Sequence, residues 1–267
     1  DSQASGLVRA ATMLAALESG RVKLSDPVEV GEGVYMAQNK VLKDHNWHRG
    51  GYGEINALQT LMANSNIGNY LLTKRAFEKD QAYFDMLDQF SYGQPANVFG
   101  LDSLKPAFLY TPKDNSWSKS DLAWSCIGYN QHISPIQMLT FYNAIANDGK
   151  MVKPMLYKGD TEVINPQIAN KANIDSLQLA MVKVVNEGLG KPAQSDKVQV
   201  AGVSGGCQIY TEEDNSDGKM KTEYSVEYCG YFPAENPKYV ITVFAIGGKS
   251  GSQTCAPVFK EICDYID

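Results

Sequence analysis

No apolar run in this sequence reaches the roughly 18 residues that a membrane span requires, and no signal peptide is visible. The chain starts at Asp1 and not at Met. It therefore reads as a processed or trimmed product, with any membrane anchor lying upstream of residue 1. Positive charge is in short supply: 24 Lys and Arg stand against 30 Asp and Glu, a formal net charge of -6. With no basic excess to neutralise phosphates, nucleic acid is not expected as a partner. Cysteines are few. Cys126, Cys207, Cys229, Cys255 and Cys263 are too scattered for a zinc pattern and too few for a disulfide scaffold. His45 and His48 have an i, i+3 spacing, but no third ligand follows, so neither metal nor cofactor is expected. Internal repeats, low-complexity segments and composition breaks are all missing, so residues 1–267 are expected to form one domain. At 43% hydrophobic residues the chain can bury a sizeable core.

What is present has a readable order. Gly6 to Leu17 (GLVRAATMLAAL) is rich in Ala, Leu and Met, which predicts a helix buried on most sides and closed by Gly20. Arg9 is the one charge within it. A cation in the first turn opposes the helix dipole and calls for a partner or a purpose. A hairpin-like region, Val28 to Lys43, precedes the polar loop DHNWHRGGYGE. Helical pieces follow at Ile55 to Leu61 and Ile67 to Lys74. Between them Asn64-Ser65-Asn66 serves either as a cap, with Asn66 as N-cap, or as site residues where two helices meet. Lys79 to Phe90 predicts a helix and Ser91 to Asp121 a long irregular cover. Ser134 caps, and Pro135 opens, a helix through Ala146. A strand is expected near Met151 to Lys158, then a helix from Ser176 to Glu187. Three strands (Val198 to Tyr210, Glu223 to Tyr231, Tyr239 to Gly247) and a helix begun by Pro257 close the chain. Helices followed by consecutive strands predict an α+β fold, an antiparallel sheet packed by helices on its faces.

Within VQVAGVSGGCQIY, Gly202, Gly205 and Gly206 contribute no packing. They mark either a bulge or a place where another backbone or a ligand comes close, such as a peptide along the strand edge. If this strand and Glu223 to Tyr231 form a hairpin about EEDNSDGK, Cys207 and Cys229 lie nearly equidistant from Gly218, which predicts a disulfide between them.

Taken together, ATMLAALESGRV, ANSNIGNYLL, LAWSCIGYNQHISPIQMLTFYNAIANDGKMVKP, YCGYFPAENPKYVITV and CAPVFKEI resemble the transpeptidase domain of class B, division-type penicillin-binding proteins. The resemblance implies their serine acyltransferase fold, with the first strands of the sheet missing from this chain. It also implies three motifs, Ser-x-x-Lys, Ser-x-Asn and Lys-Thr-Gly. The chain departs from each. The nucleophile position falls on Gly6 and the lysine on Arg9. The second motif reads Asn64-Ser65-Asn66 and the third Val203-Ser204-Gly205. Gly6 has nothing to acylate, and a guanidinium is no base near neutral pH. Ser5 is one residue early, rotated about 100° on a helix, and Ser2 lies further out.

The resemblance thus implies a domain without catalytic residues, working on the periplasmic side of a bacterial envelope. Its expected partners are a peptidoglycan stem peptide or proteins of wall synthesis and division. Arg9, Asn64, Asn66, Ser204, Gly205, Gly206 and Gln208 are the expected peptide contacts. Two other readings stand beside it. One is an active transpeptidase, carboxypeptidase or penicillin-binding enzyme with a non-standard or engineered nucleophile. The other is a structural subunit whose cleft is filled by its own side chains, with Arg9 salt-bridged.

Overall fold

The Ala- and Leu-rich segment becomes helix α1 (Val8–Glu18), nearly every residue of which is buried, in a computed structural model that describes residues 6–98, 106–212 and 220–266. Small side chains let its neighbours approach from all sides, and each fully buried Leu or Met contributes on the order of 2 kcal/mol. Gly20 follows its end at φ +73 and donates its N–H to the Leu17 carbonyl. A residue with a Cβ adopts that left-handed turn poorly, so glycine stops the helix.

Three antiparallel strands, β9 (Ala201–Glu212), β10 (Met220–Phe232) and β11 (Tyr239–Ile246), form one sheet in the order β11-β10-β9. Alternation along β10 decides which core each residue joins. Cys229 and Tyr231 face the core around α1, whereas Val226, Tyr228 and Phe232 face a second core. That second core is closed by Phe259 and Cys263 of α8 (Ala256–Ile266). α6 (Pro135–Ala146) and α7 (Lys171–Glu187) pack on the sheet from the α1 side. Helices therefore cover both faces of an antiparallel sheet. α6 starts as expected: Ser134 and Gln137 form a reciprocal capping box ahead of Pro135.

Around this centre lie β1 (Pro27–Gly31), β2 (Val34–Ala37), β3 (Lys40–Lys43), β4 (Gly53–Asn56), α2 (Ala57–Met62), α3 (Asn66–Ala76) and α4 (Asp80–Gln89). The hairpin expected over Val28 to Lys43 is smaller than that. β2 pairs only with β3, while β1 reaches past the polar loop to β4. Ile55 accordingly belongs to a strand, and α2 begins two residues later under an Asn56 capping box. β5 (Phe108–Leu109) pairs with β6 (Gln131–His132) on either side of α5 (Asp121–Ser125). The strand expected over Met151 to Lys158 shortens to β7 (Met151–Val152), because only those residues pair with β8 (Val163–Asn165). α7 starts five residues earlier than its apolar pattern indicates, since Asn170 caps the Ala172 N–H.

Two expectations for the sheet resolve cleanly. β9 and β10 pair in unbroken register, so the glycines of β9 mark no bulge there. Glu212 lies opposite Met220, which centres the hairpin two residues before Gly218. Cys207 then faces Ser225 and Cys229 faces Val203, four residues apart along the sheet. The predicted Cys207–Cys229 disulfide is therefore wrong, and both thiols are free and buried. Most of the connecting turn, like Ser2 and Ser5, lies outside the described residues.

Candidate functional site

Gly6, just ahead of α1, packs backbone to backbone against Gly205 of β9. A Cβ on Gly205 would lie 2.6 Å from the Leu7 nitrogen and 2.9 Å from the Gly6 carbonyl carbon. This is the close approach the glycines allow, and it seats the start of the buried helix on the edge strand. The Arg9 side chain folds back over the junction. A Cβ on Gly6 would meet Arg9 Nη1 at 1.8 Å, so the guanidinium occupies the volume a side chain at position 6 would take.

Arg9 is only 7% exposed. Its Nη2 donates to Asn66 Oδ1 at 2.5 Å, and its Nε is buried with no hydrogen-bond partner. Burial pulls its pKa below the usual arginine value, opposed by the nearby Cys126 and Asp44. Among the described residues it forms no ion pair, so the reading in which a salt bridge fixes Arg9 and fills the cleft does not hold. An open cleft of about 580 Å³ lies beside it.

The short polar link between α2 and α3 is divided into separate tasks. Ser65, not Asn66, is the N-cap of α3, its hydroxyl accepting from the Gly68 N–H. Asn66 is thereby free to hold Arg9 with one amide atom and to donate to the Lys43 carbonyl with the other. Asn64 takes a left-handed φ of +49, a conformation that Asn tolerates better than most residues. Its Nδ2 donates to the carbonyl and hydroxyl of Ser204, at 3.0 and 3.1 Å. Behind them the fully buried Asp44 accepts from Ser65 Oγ at 2.7 Å and from the Ile67 N–H at 3.0 Å. Replacing Asp44 by Ala strands both donors and should cost about 2–3 kcal/mol, the scale of hydrogen bonds to a charged group. Urea unfolding measures it, and a loss under about 0.5 kcal/mol would show that the carboxylate does not hold this link.

Of the residues singled out in the sequence, Arg9, Asn64, Asn66, Ser204, Gly205 and Gly206 line this cleft, and Gly6 lies beneath Arg9. Val203 does not; it is fully buried in the core around α1. Gln208 sits further along β9, where its backbone N–H donates to Tyr129 Oη at 3.4 Å, and it is not among the lining residues. The sequence does not assign the other lining residues to this cleft, and it marks His45 only as half of an i, i+3 pair. His45 and Arg49 come from the polar loop, and Lys249, Ser250 and Gln253 from the turn between β11 and α8. One signal was available: Lys249-Ser250-Gly251 is a lysine, hydroxyl, glycine triplet on a loop. His45 Nε2 lies 2.6 Å from Tyr52 Oη, and partial desolvation pulls its pKa below the usual histidine value. The thiols offer no substitute nucleophile. Burial pushes Cys207 and Cys255 up to about 11 and Cys126 up to about 12, which keeps them protonated.

Comparison with known proteins agrees with this architecture. Residues 8–264 match the family model described as the penicillin binding protein transpeptidase domain. Penicillin-binding protein PbpB of Mycolicibacterium smegmatis is 26% identical over 96% of this chain and 41% of its own length. Peptidoglycan D,D-transpeptidase MrdA of Salmonella typhimurium is 26% identical over 68% of this chain and 33% of its own. The chain spans less than half the length of either relative. The TP domain of Burkholderia pseudomallei penicillin-binding protein 3 superposes with a TM-score of 0.83 at 23% identity, covering 98% of this chain and 77% of that one. At that identity the likeness shows the fold: mixed helices and antiparallel strands in the arrangement of transpeptidase domains.

Proposed function

This chain belongs to the penicillin-binding protein transpeptidase domain family, and from that membership we propose that it serves bacterial peptidoglycan synthesis or cell division as a binding or scaffolding domain that carries out no acyl transfer. One observation carries the reading: the Arg9 guanidinium stands where a nucleophile's side chain would project from position 6. Acyl transfer needs a hydroxyl to attack the carbonyl and a base to take its proton. Position 6 has no side chain, and a guanidinium cannot accept a proton. The same replacement closes off both roles, because the arginine that displaces the base also fills the nucleophile's space.

Binding capacity is a separate matter, and the cleft keeps it. β9 pairs with β10 along one edge. On its other edge the Ser204 carbonyl is met by Asn64, and the Gln208 N–H by Tyr129. By the alternation of the strand, Gly206 between them presents its N–H and C=O outward, with no side chain in the way. An extended peptide laid there pairs with one residue of the edge and fills the cleft with its end. A stem peptide of the wall, on the periplasmic side of the envelope, suits such a site. Proteins of wall synthesis or division are the other proposed partners, and residues 1–267 act as a single domain.

Two measurements test the reading. Intact-mass spectrometry after incubation with excess penicillin should show the unmodified mass; an adduct of one drug mass would mean that some hydroxyl is still activated, and would return the chain to the enzymes. Titration with a muropeptide should saturate. A flat titration would remove the peptide and leave protein partners as the role.

A further inference from the structure

The cleft is lined by Arg9, Arg49 and Lys249, and among the described residues no carboxylate lines it. That is an unusual concentration in a chain whose net charge is -6. Arg49 and Lys249 are exposed and form no ion pair among the described residues, and Arg9 Nε is buried and unpartnered. A buried, unsatisfied guanidinium N–H is costly, and because Arg9 lines the cleft, an anion seated against its guanidinium offsets that cost. Asp44, whose carboxylate acts on Arg9 through space, does not serve: it is turned to Ser65 and Ile67.

The origin of the rim charge matters. The strand position that carries lysine in the family's third motif is here Val203, and it points into the core. The cation instead comes from the turn between β11 and α8, where the Lys249 N–H bonds Thr254 Oγ1 and Ser250 caps the following turn by accepting from the Gln253 N–H. The turn is anchored again by Ser252, whose hydroxyl donates to the Leu189 carbonyl. Lys249 is therefore mounted on a fixed support, a turn that packs backbone to backbone against Gly205 of β9 and Glu227 of β10 at Gly251.

We propose that this cleft selects a ligand with two anionic groups, one seated on Arg9 at the floor and a second held at the rim by Lys249 with Arg49. A single carboxylate satisfies the floor and leaves the rim cations unmatched; a second negative group completes the pairing. The inference rests on the peptide-binding reading above, and it assigns Lys249 as the residue that sets ligand preference.

The test uses two probes, N-acetyl-D-alanyl-D-alanine with one carboxylate and N-acetyl-D-alanyl-D-glutamate with two, titrated calorimetrically at low salt into the protein and into Lys249→Met. Because Lys249 is exposed, the variant should melt with the unsubstituted protein. The dianionic peptide should bind roughly tenfold or more tightly than the monoanionic one, the scale of one charged hydrogen bond, and Lys249→Met should erase most of that difference. The preference should also shrink as salt rises. Equal binding of the two peptides, or a preference that survives Lys249→Met, overturns the proposal. If neither peptide binds but inorganic pyrophosphate does, and Lys249→Met weakens it, the dianion site stands and the peptide reading falls. If nothing binds, both fall.

Discussion

Gly205→Ala is expected to be the most damaging small substitution in this protein, costing about 3 kcal/mol or more and at the extreme preventing folding. The added Cβ would lie 2.6 Å from the Leu7 nitrogen, 2.9 Å from the Gly6 carbonyl carbon and 3.0 Å from the Gly6 Cα. Overpacking a core usually costs about 1–3 kcal/mol because side chains can rotate away. Here every close atom is backbone, so either β9 or the start of α1 must move. Neither moves alone: β9 is paired with β10 along its length, and the Leu7 carbonyl is held by Tyr142 Oη at 2.8 Å. Gly206→Ala is the internal control. One residue on, the added Cβ would meet nothing closer than 3.4 Å, so the cost should be under about 1 kcal/mol, that of an ordinary change in a strand. Thermal or urea unfolding of the two variants decides it. Similar losses would mean that the Gly6 to Gly205 contact is not what fixes the helix on the strand.

The second large effect concerns position 6. Restoring a serine, Gly6→Ser, should not restore chemistry and should destabilise the fold by about 2–3 kcal/mol, at the upper end of overpacking costs. The new Cβ would fall 1.8 Å from Arg9 Nη1. The guanidinium must leave, which breaks its bond to Asn66, and Gly205 Cα at 3.1 Å limits how the backbone can yield. The obstruction is the far end of a side chain, so it is removable. Gly6→Ser combined with Arg9→Ala should be less damaging than the sum of the two single changes. A coupling of about 1 kcal/mol or more in this double-mutant cycle is the expected result. Strict additivity would show that Arg9 does not occupy the nucleophile's volume and does not block the site.

The sequence disclosed the architecture because the signals for it are local. A run such as ATMLAAL carries its own helix propensity, Ser134-Pro135 with Gln137 carries its own cap, and the three final strands alternate legibly. It also names six of the residues that line the cleft, five through the resemblance to family motifs and Gly206 through the glycine-rich strand. It failed wherever position depends on partners far along the chain. The sequence joins β1 to the wrong strand because its partner β4 lies beyond a loop, and turn composition puts the hairpin centre at Gly218 when cross-strand pairing decides it. The disulfide followed that error. Small polar residues look alike in sequence, so Asn66 reads there as a possible cap, yet the extended φ and ψ that suit a cap belong to Ser65. Arg49 carries no local mark, and Lys249 only that of a lysine, hydroxyl, glycine triplet on a loop. They acquire meaning only from the shape that brings them to Arg9.

That shape has a consequence for how the protein comes into being. The Asn64 to Ser204 bonds join residues 140 apart, and the cleft is completed by Lys249 to Gln253, close to the end of the described chain. During vectorial synthesis Arg9 and Asn66 emerge long before the strand and turn that complete their surroundings. Until that strand and turn have been made, the helix that later forms the centre of the domain has no complete sheet to sit on, and its apolar surface is open to whatever escorts the nascent chain. The cleft cannot trap a ligand prematurely, since no fragment shorter than nearly the whole sequence contains its walls.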